Sequence, residues 1–263
     1  MGRLRKQDAE RRRASGNGPD FLEALARGLK VIAAFDSGKR QMTLSDVARA
    51  ADLPRPTARR VLHTLTCLGF ADIDGPMFRL TPRILKLASA YLGSNMISTV
   101  VQPACDRICK RTGHVCFVAV LDAEDIAIVA HASPLFPLGI GSNIGQRLPA
   151  VATAAGRIML AQLADDALDR WLAAATPKRL TNFTISDKAV LRKRILAARR
   201  QGFASTEQEA LLGFRAIAVP LKRFDGACVA ALNLAVRIIE AKPQVPDEDY
   251  IRILRDEAAE FTQ

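Results

Sequence analysis

"LPRPTARRVLHTLTCLGF", Leu53 to Phe70, is the stretch that decides the fold. Val61, Leu62, Leu65 and Leu68 recur at the spacing of a buried helix face, with Ala58 on the same stripe. Arg59, Arg60 and His63 load the rest of the helix with basic groups. Pro56 suits the first helical turn, where its missing N–H would have had no intrahelical partner. A basic helix can be a mere solubility device, so its neighbours decide what the charge is for.

Upstream, Phe21, Leu22, Leu25, Leu29, Ile32 and Ala33 predict a first helix from Phe21 to Phe35, ending near "DSGK". Thr43, three residues before Asp46, has the pattern of a capping box and starts a second helix from about Leu44 to Ala51. "ADLPRP" breaks that helix. Downstream, "GFADIDGPMFRL" reads as two short strands, Phe70 to Ile73 and Met77 to Leu80, joined through Asp74 and Gly75. Helix, turn, basic helix and hairpin make a winged helix-turn-helix, whose second helix enters the major groove while the wing follows a phosphate backbone. On this reading the apolar stripe, Leu68 included, buries the helix so that its other face meets DNA. The candidate contacts are Thr43, Arg55, Pro56, Thr57, Arg59, Arg60, His63, Thr64 and, on the wing, Arg79. Arginine forks onto guanine or phosphate, and threonine serves either.

Charge distribution agrees. Of a net +11 over 263 residues, residues 1–90 carry 17 Lys/Arg against 9 Asp/Glu, a net of +8, which leaves +3 for the other 173. The opening "MGRLRKQDAERRRASGNG" has no apolar core for a signal peptide and reads as a disordered basic arm over residues 1–19. Leu87 to Cys105 is uncharged, but Ser89, Gly93, Ser94, Asn95, Ser98, Gln102 and Pro103 disqualify it as a membrane helix. A cytoplasmic protein without a membrane partner is expected. Five cysteines, an odd number with no secretion signal, argue for reduced thiols.

Beyond the hairpin, Ile84, Leu85, Leu87, Ala88, Tyr91 and Leu92 form one apolar stripe and Ile97, Val100, Val101, Ala104 and Ile108 another. They predict a linker helix and the first helix of a second domain. Strands are expected at His114 to Leu121, Ile126 to Ala132 and Leu135 to Gly141, and again at Gly202 to Thr206, Ala216 to Leu221 and Ala227 to Val236. Helices are expected in "TAAGRIMLAQL", around Leu168 to Leu172, from Asp187 to Gln201 with Ser186 as N-cap and Gly202 as stop, and from Val245 to Phe261. The class is α+β with an antiparallel sheet.

Two places invite a ligand. Pro149 to Gly156, "PAVATAAG", is a helix start of small residues, whose free N–H groups would attract a carboxylate. Tight helix-to-sheet packing is the alternative, above all for Ala150, Ala152 and Ala154. Asn233 is the one polar side chain in "VAALNLAV", where an unsatisfied amide would cost about 1–3 kcal/mol. Either a backbone carbonyl or a ligand must satisfy it. Arg215 and Glu209 are expected to form a structural ion pair, and Arg147 to anchor sheet to helix. Cys105, Cys109, Cys116, His114 and His131 could suggest a metal, yet without a CxxC pair or His-rich motif the thiols read as small buried hydrophobes. Neither Gly-x-Ser-x-Gly nor a Walker loop is present, and "GIGSNIG" lacks dinucleotide spacing and reads as strand and turn. No cofactor is expected.

"LSDVARAADLPRPTARRVLHTLTCLGFAD" and "FRLTPRILKLA", followed far downstream by "IGQRLPAVATAAGRIMLAQL", "ISDKAVLRKRILAARRQGFASTEQEALLGFRAIAVPL" and "CVAALNLAV", resemble in that order the IclR family of bacterial transcription regulators. The wording is nearest the subgroup that regulates catabolism of aromatic acids such as protocatechuate and 4-hydroxybenzoate. Departures are Pro56 where the family often has Ser, Ala58 where it has Val, "EQEA" for Asp-Gln-Glu-Leu, and Phe214 for a common Leu. The resemblance implies a winged domain over 20–81, a linker helix over 82–96 and a GAF-like effector-binding domain over 97–263. It further implies a homodimer or dimer of dimers on double-stranded operator DNA, a small organic acid as effector, and contact with RNA polymerase. Thr153, Ala154, Ala155, Thr206, Phe214, Ala216, Asn233 and Ala235 match positions near that family's effector. Two other readings stay open: a winged-helix adaptor that does not bind DNA, against which the charge of the first 90 residues stands, and an enzyme acting on a small acid.

Overall fold

The computed structural model describes residues 18, 20–35, 39–94, 96–134, 143–238 and 247–261. Nearly all of the expected basic arm, the strand read from Leu135 to Gly141 and most of "GIGSNIG" lie outside the described residues, as do the side chains of residues 92–99. The chain divides into two compact units, Met1–Ala90 and Tyr91–Gln263. No described helix is long and apolar enough to cross a membrane.

In the first unit, α1 (Glu23–Ala33), β1 (Met42–Thr43), α2 (Leu44–Ala50), α3 (Arg55–Cys67), β2 (Ala71–Asp74) and β3 (Met77–Leu80) follow in order. The strands form an antiparallel sheet ordered β1-β3-β2. α2 starts where the sequence placed it, because Thr43 accepts from the Asp46 N–H at 3.2 Å while the Asp46 carboxylate accepts from the Thr43 N–H at 3.3 Å. α3 buries Leu62 and Leu65 against Val31, Met42, Val47, Ala51 and Ala71, and Ala58 on the same stripe is fully buried. Leu68, expected in the same stripe, is 53% exposed. It is the C-cap of α3, and the chain turns away at once through Gly69 at φ +74°, so the buried stripe ends a turn earlier. Gly75, at φ +56°, makes the hairpin turn as its spacing predicts. β1 was not anticipated, since two residues carry no alternation. A 3-10 turn (Pro82–Ile84) then leads into α4 (Leu85–Ser94), which contains the division between the units.

The second unit comprises α5 (Met96–Thr112), β4 (Val115–Asp122), β5 (Asp125–Ala132), β6 (Arg147–Pro149), a 3-10 turn (Ala150–Ala152) and α6 (Ala154–Leu160). Next come α7 (Asp165–Ala174), α8 (Lys188–Gln201), β7 (Ala204–Glu207), β8 (Phe214–Lys222), β9 (Cys228–Arg237) and α9 (Asp247–Phe261). The six strands are antiparallel, in the order β6-β5-β4-β9-β8-β7. Alternate residues of each strand serve two cores. One face packs Cys116, Val118, Ile217, Val219, Leu232 and Leu234 with residues of α5 and α9. The other packs Val115, Phe117, Ala218 and Ala231 with residues of α6, α7 and α8. Cover on both faces explains why the central strands read as nearly continuous apolar runs.

Two local expectations are corrected here. The N-cap of α8 is Asp187 rather than Ser186: its carboxylate accepts from the Val190 N–H at 2.8 Å and sits at the positive helix end. Gly202 does stop that helix, at φ +74°. Arg147 anchors no helix; it pairs with Asp122 and, at 3.2 Å, with Asp125, holding the short edge strand β6 on the β4–β5 hairpin.

Candidate functional site

In the first unit the exposed face of α3 is built from Arg55, Pro56, Arg59, Arg60, His63, Thr64 and Cys67, with Thr57 half-buried beside them. The buried stripe dictates which residues these are. Arg55, Arg59 and Arg60 form no ion pair among the described residues, so their guanidinium groups are available to an anion. The Thr64 hydroxyl donates to the Arg60 carbonyl at 3.0 Å, which leaves its oxygen only as an acceptor. On the wing, Arg79 lies across from Asp72 in the register of β2 and β3, 3.6 Å away. Thr43, also expected at the DNA, has its hydroxyl donating to the Asp46 carboxylate at 2.6 Å and accepting from the Asp46 N–H, so it positions the start of α2. Those bonds from Thr43 hold the Asp46 carboxyl below the usual carboxylate range.

The second unit concentrates buried polarity. Thr153, Arg157, Thr184, Thr206, Glu209 and Asn233 are the buried polar or charged side chains among the described residues, and all belong to this unit. Strand register shows why they meet. Phe117, Asn233, Ala218 and Ala204 lie in one row across β4, β9, β8 and β7, and Val115, Ala235, Ala216 and Thr206 in the next. Phe214 stands one pleat further along β8 on the same face. α6 lies over β8 and β9 on this side. Thr206, Phe214, Ala216, Asn233 and Ala235, proposed from widely separated segments, are therefore brought together on one floor of mostly small side chains. Asn233 is fully buried, and neither its Oδ1 nor its Nδ2 has a hydrogen-bond partner. Each orphaned atom costs about 1–3 kcal/mol, an arrangement that native proteins rarely keep without a use.

The helix start over this floor is close-packed, yet it keeps two of the free N–H groups that its sequence predicts. "PAVATAAG" is the end of β6, a 3-10 turn and the start of a helix of only seven residues. Thr153 caps that helix itself, accepting from the Gly156 N–H at 3.1 Å. Ala154 and Ala155 are fully buried, and a Cβ on Gly156 would stand 2.2 Å from the Ala150 carbonyl oxygen. Close packing, the alternative considered for the alanines, is what the small residues serve. Thr153 satisfies the Gly156 N–H, whereas the buried N–H groups of Ala154 and Ala155 have no hydrogen-bond partner among the described residues.

Arg157 was missed, and Glu209 was given the wrong partner. The pair is Arg157–Glu209, not Arg215–Glu209: Nη1 and Nη2 donate to the two carboxylate oxygens at 2.7 and 2.5 Å, and Nε donates to the Val151 carbonyl at 2.8 Å. Glu209 also accepts from the Ile185 N–H at 3.1 Å. Arg215 faces the other way because β8 alternates. A signal did exist. "AAGRIML" is apolar all round but for Arg157, the mark of a helix buried on every side, where a charge must bring its partner with it.

The thiols form no such site. Burial pushes the Cys116 thiol well up, and the neighbouring Cys105 adds to the shift. Among the described residues no three His, Cys, Asp or Glu side chains are placed to hold a metal ion.

Comparison with known proteins gives this geometry a context. Residues 24–75 match the family described as "IclR helix-turn-helix domain" and residues 89–262 the one described as "Bacterial transcriptional regulator IclR C-terminal". The chain is 36% identical over 247 residues to the Pca regulon regulatory protein of Pseudomonas putida, covering 94% of this chain and 85% of that one. It is 32% identical to the p-hydroxybenzoate hydroxylase transcriptional activator of Acinetobacter baylyi, covering 92% and 91%. Among solved structures, an IclR homolog of Microbacterium hydrocarbonoxydans complexed with 4-hydroxybenzoate superimposes with a TM-score of 0.76 at 26% identity, covering 91% of this chain and 97% of that one.

Proposed function

This chain belongs to the IclR family of bacterial transcriptional regulators, and on that premise we propose which residues read DNA and what the second unit senses. It is a ligand-responsive DNA-binding regulator and not an enzyme. The winged domain occupies 20–81, the linker helix 82–96 and the effector-binding domain 97–263. In the first of these, α3 enters the major groove with Arg55, Pro56, Thr57, Arg59, Arg60, His63 and Thr64, while Arg79 on the wing meets the backbone. What supports this is the solvent-facing arginine row and the excess charge of the first 90 residues. Two copies reading paired half-sites fit the apolar residues that the first helix and its N-cap leave exposed, Leu22, Leu25 and Leu29. A dimer, or a dimer of such dimers, acts on operator DNA in the cytoplasm, and the effector changes its affinity or its contact with RNA polymerase.

The effector is a small aromatic acid of the hydroxybenzoate kind. It rests on the floor of Thr206, Phe214, Ala216, Asn233 and Ala235 beneath Thr153, Ala154 and Ala155. The observation that carries this is the fully buried, unpartnered amide of Asn233 on an otherwise apolar floor, joined to relatives named for p-hydroxybenzoate hydroxylase and the Pca regulon. A ligand that binds only the folded state raises stability by RT ln(1 + [L]/Kd). Thermal melts with benzoate, 4-hydroxybenzoate, protocatechuate and an unrelated aliphatic acid test the reading. A melting temperature raised by at least one aromatic acid and not by the aliphatic one is expected; no rise with any aromatic acid overturns it.

A further inference from the structure

We propose that Thr81 and Arg83 are positioning residues: they fasten the exit of the DNA-reading helix α3 to the start of the linker, and Arg83 makes the half of that fastening that opens. The state of the linker is thereby felt by the residues that meet DNA, and DNA is felt in the linker. A small acid as the source of the signal rests on the effector reading proposed above; the tie between α3 and the linker does not.

α3 needs no help to end. The Phe70 N–H donates to the Leu65 carbonyl at 2.8 Å and the Gly69 N–H to the Thr66 carbonyl at 2.9 Å, a Schellman motif that satisfies late carbonyls from within. The next three carbonyls turn instead to the linker. Arg83 Nη1 donates to the Leu68 carbonyl, the Thr81 hydroxyl to the Gly69 carbonyl at 2.6 Å, and the Thr81 N–H to the Phe70 carbonyl at 3.0 Å. The same Thr81 hydroxyl accepts from the Arg83 N–H at 3.2 Å and so caps the 3-10 turn (Pro82–Ile84) that leads into α4. One side chain thus closes the exit of α3 and opens the linker. Gly69 serves the junction twice: its φ of +74° ends the helix, and a Cβ there would stand 2.9 Å from Arg83 Nη1.

The two ties differ in kind. Thr81 is half-buried and holds the two residues after the C-cap of α3, whereas Arg83 and Leu68 are exposed and Arg83 holds the C-cap itself. A bond between exposed groups contributes little to stability, because water replaces either partner. The guanidinium at the negative end of α3 adds an attraction that is confined to the last turn and weakened by salt. Opening the Arg83 tie therefore costs the fold little, since the Schellman motif and Thr81 remain. Its position gives it leverage. α4 begins at Leu85 and runs unbroken to Ser94, past the division between the units, so a displaced linker pulls on Leu68 through Arg83. A contact that is cheap to open and joins the two elements is one that a signal can bias. Such coupling is reciprocal, so it is open to test from the DNA side.

Arg83→Met keeps the length of the side chain and removes the donor; Arg83→Lys keeps a donor. Hydrogen exchange of the full chain with and without operator DNA is the measurement. In the wild type, DNA is expected to slow exchange at least threefold both within 55–67 and within 85–94. In Arg83→Met the slowing is expected only within 55–67, and Arg83→Lys is expected to restore it within 85–94. Arg83→Met should melt near the wild type and bind operator within twofold of it with the same salt dependence, since no phosphate contact is lost. Slowing within 85–94 that is equal in the wild type and Arg83→Met, or absent from both, overturns the proposal. So does a salt slope smaller by about one, which would make Arg83 a phosphate contact, or failure of Arg83→Met to fold, which would make it a structural brace. In the acid arm, the change in operator affinity that 4-hydroxybenzoate causes in the wild type is expected to shrink to less than twofold in Arg83→Met, and an undiminished change overturns the proposal. Failure of the wild type to respond to any aromatic acid is a different result: it overturns the effector reading and leaves the exchange experiment to decide this inference.

Discussion

Asn233 lies between Phe117 on β4 and Ala218 on β8, and neither neighbour offers it a hydrogen bond. A residue kept for folding alone would be leucine there. Asn233→Leu is therefore expected to raise the stability of the ligand-free protein by about 1–3 kcal/mol while abolishing the response to a hydroxylated aromatic acid. Melting curves and calorimetry together check both halves, and undiminished affinity in the variant would mean that the amide only serves the sheet. Arg60 belongs to the opposite category. Exposed and unpaired, it is expected on replacement by Ala to weaken operator binding by about 1–3 kcal/mol at fixed salt with no change in melting temperature; anisotropy titration measures it. The placement of both could be read from the sequence: Asn233 interrupts the apolar run of a buried strand, and Arg60 falls opposite the buried stripe of its helix. The partner of Glu209 could not. Alternation tells which face a side chain takes, but not which distant helix descends on that face with a guanidinium.

Among the elements, α3 and α6 show how far periodicity reaches. α3 was read correctly as to face and start, and wrongly only at Leu68, where the capping geometry and not the stripe decides exposure. Leu65→Ala in the buried stripe is expected to cost roughly 2–5 kcal/mol of stability through the cavity it leaves, seen as a lower urea midpoint of the winged unit with the exposed arginines intact. α6 is the harder case. A string of small residues reads equally as a ligand cradle or as close packing; the approach of Ala150 to Gly156 shows the packing, while the N–H groups of Ala154 and Ala155 stay unpaired among the described residues. Gly156→Ala is expected to force apart the 3-10 turn and α6 and to lower the melting temperature by more than a typical surface change. A neutral effect in thermal melts would mean that the contact relaxes freely. β1 and β6, of two and three residues, escaped notice because strands so short have no period to detect; they exist only because β3 and β5 offer them a partner.

At the scale of the molecule, stability is linked to pH through the second unit. Burial holds the imidazoles of His114 and His131 below their ordinary value. His114 Nε2 bonds with the Tyr250 hydroxyl at 3.1 Å, and its buried Nδ1 has no partner. The unfolded chain therefore binds these protons first. Stability is fully present above the unfolded value of about 6.5 and is lost as pH falls through the depressed folded values. A urea midpoint that declines from pH 7.5 to 5.5, and declines less in His114→Gln, is the expected outcome. The division into two units and the α+β class could be read from charge, helix pattern and strand spacing, since those are summed over many residues. The strand order could not, because it depends on which strands pair across long separations.

That order has a consequence for how the protein is made. β9 is the last strand among the described residues, yet it lies in the middle of the sheet, between β4 and β8. Until Arg237 has left the ribosome, the floor that carries Asn233 does not exist, and the β4–β5 and β7–β8 hairpins have no seam to join them. The winged unit, complete within the first 90 residues, has no such wait. Long-range pairing of this kind is slow and leaves strand edges open meanwhile. A nonsense change anywhere between the two units' completion points would then release a DNA reader that no effector can govern, so premature termination in this chain should produce loss of regulation rather than simple loss of the protein.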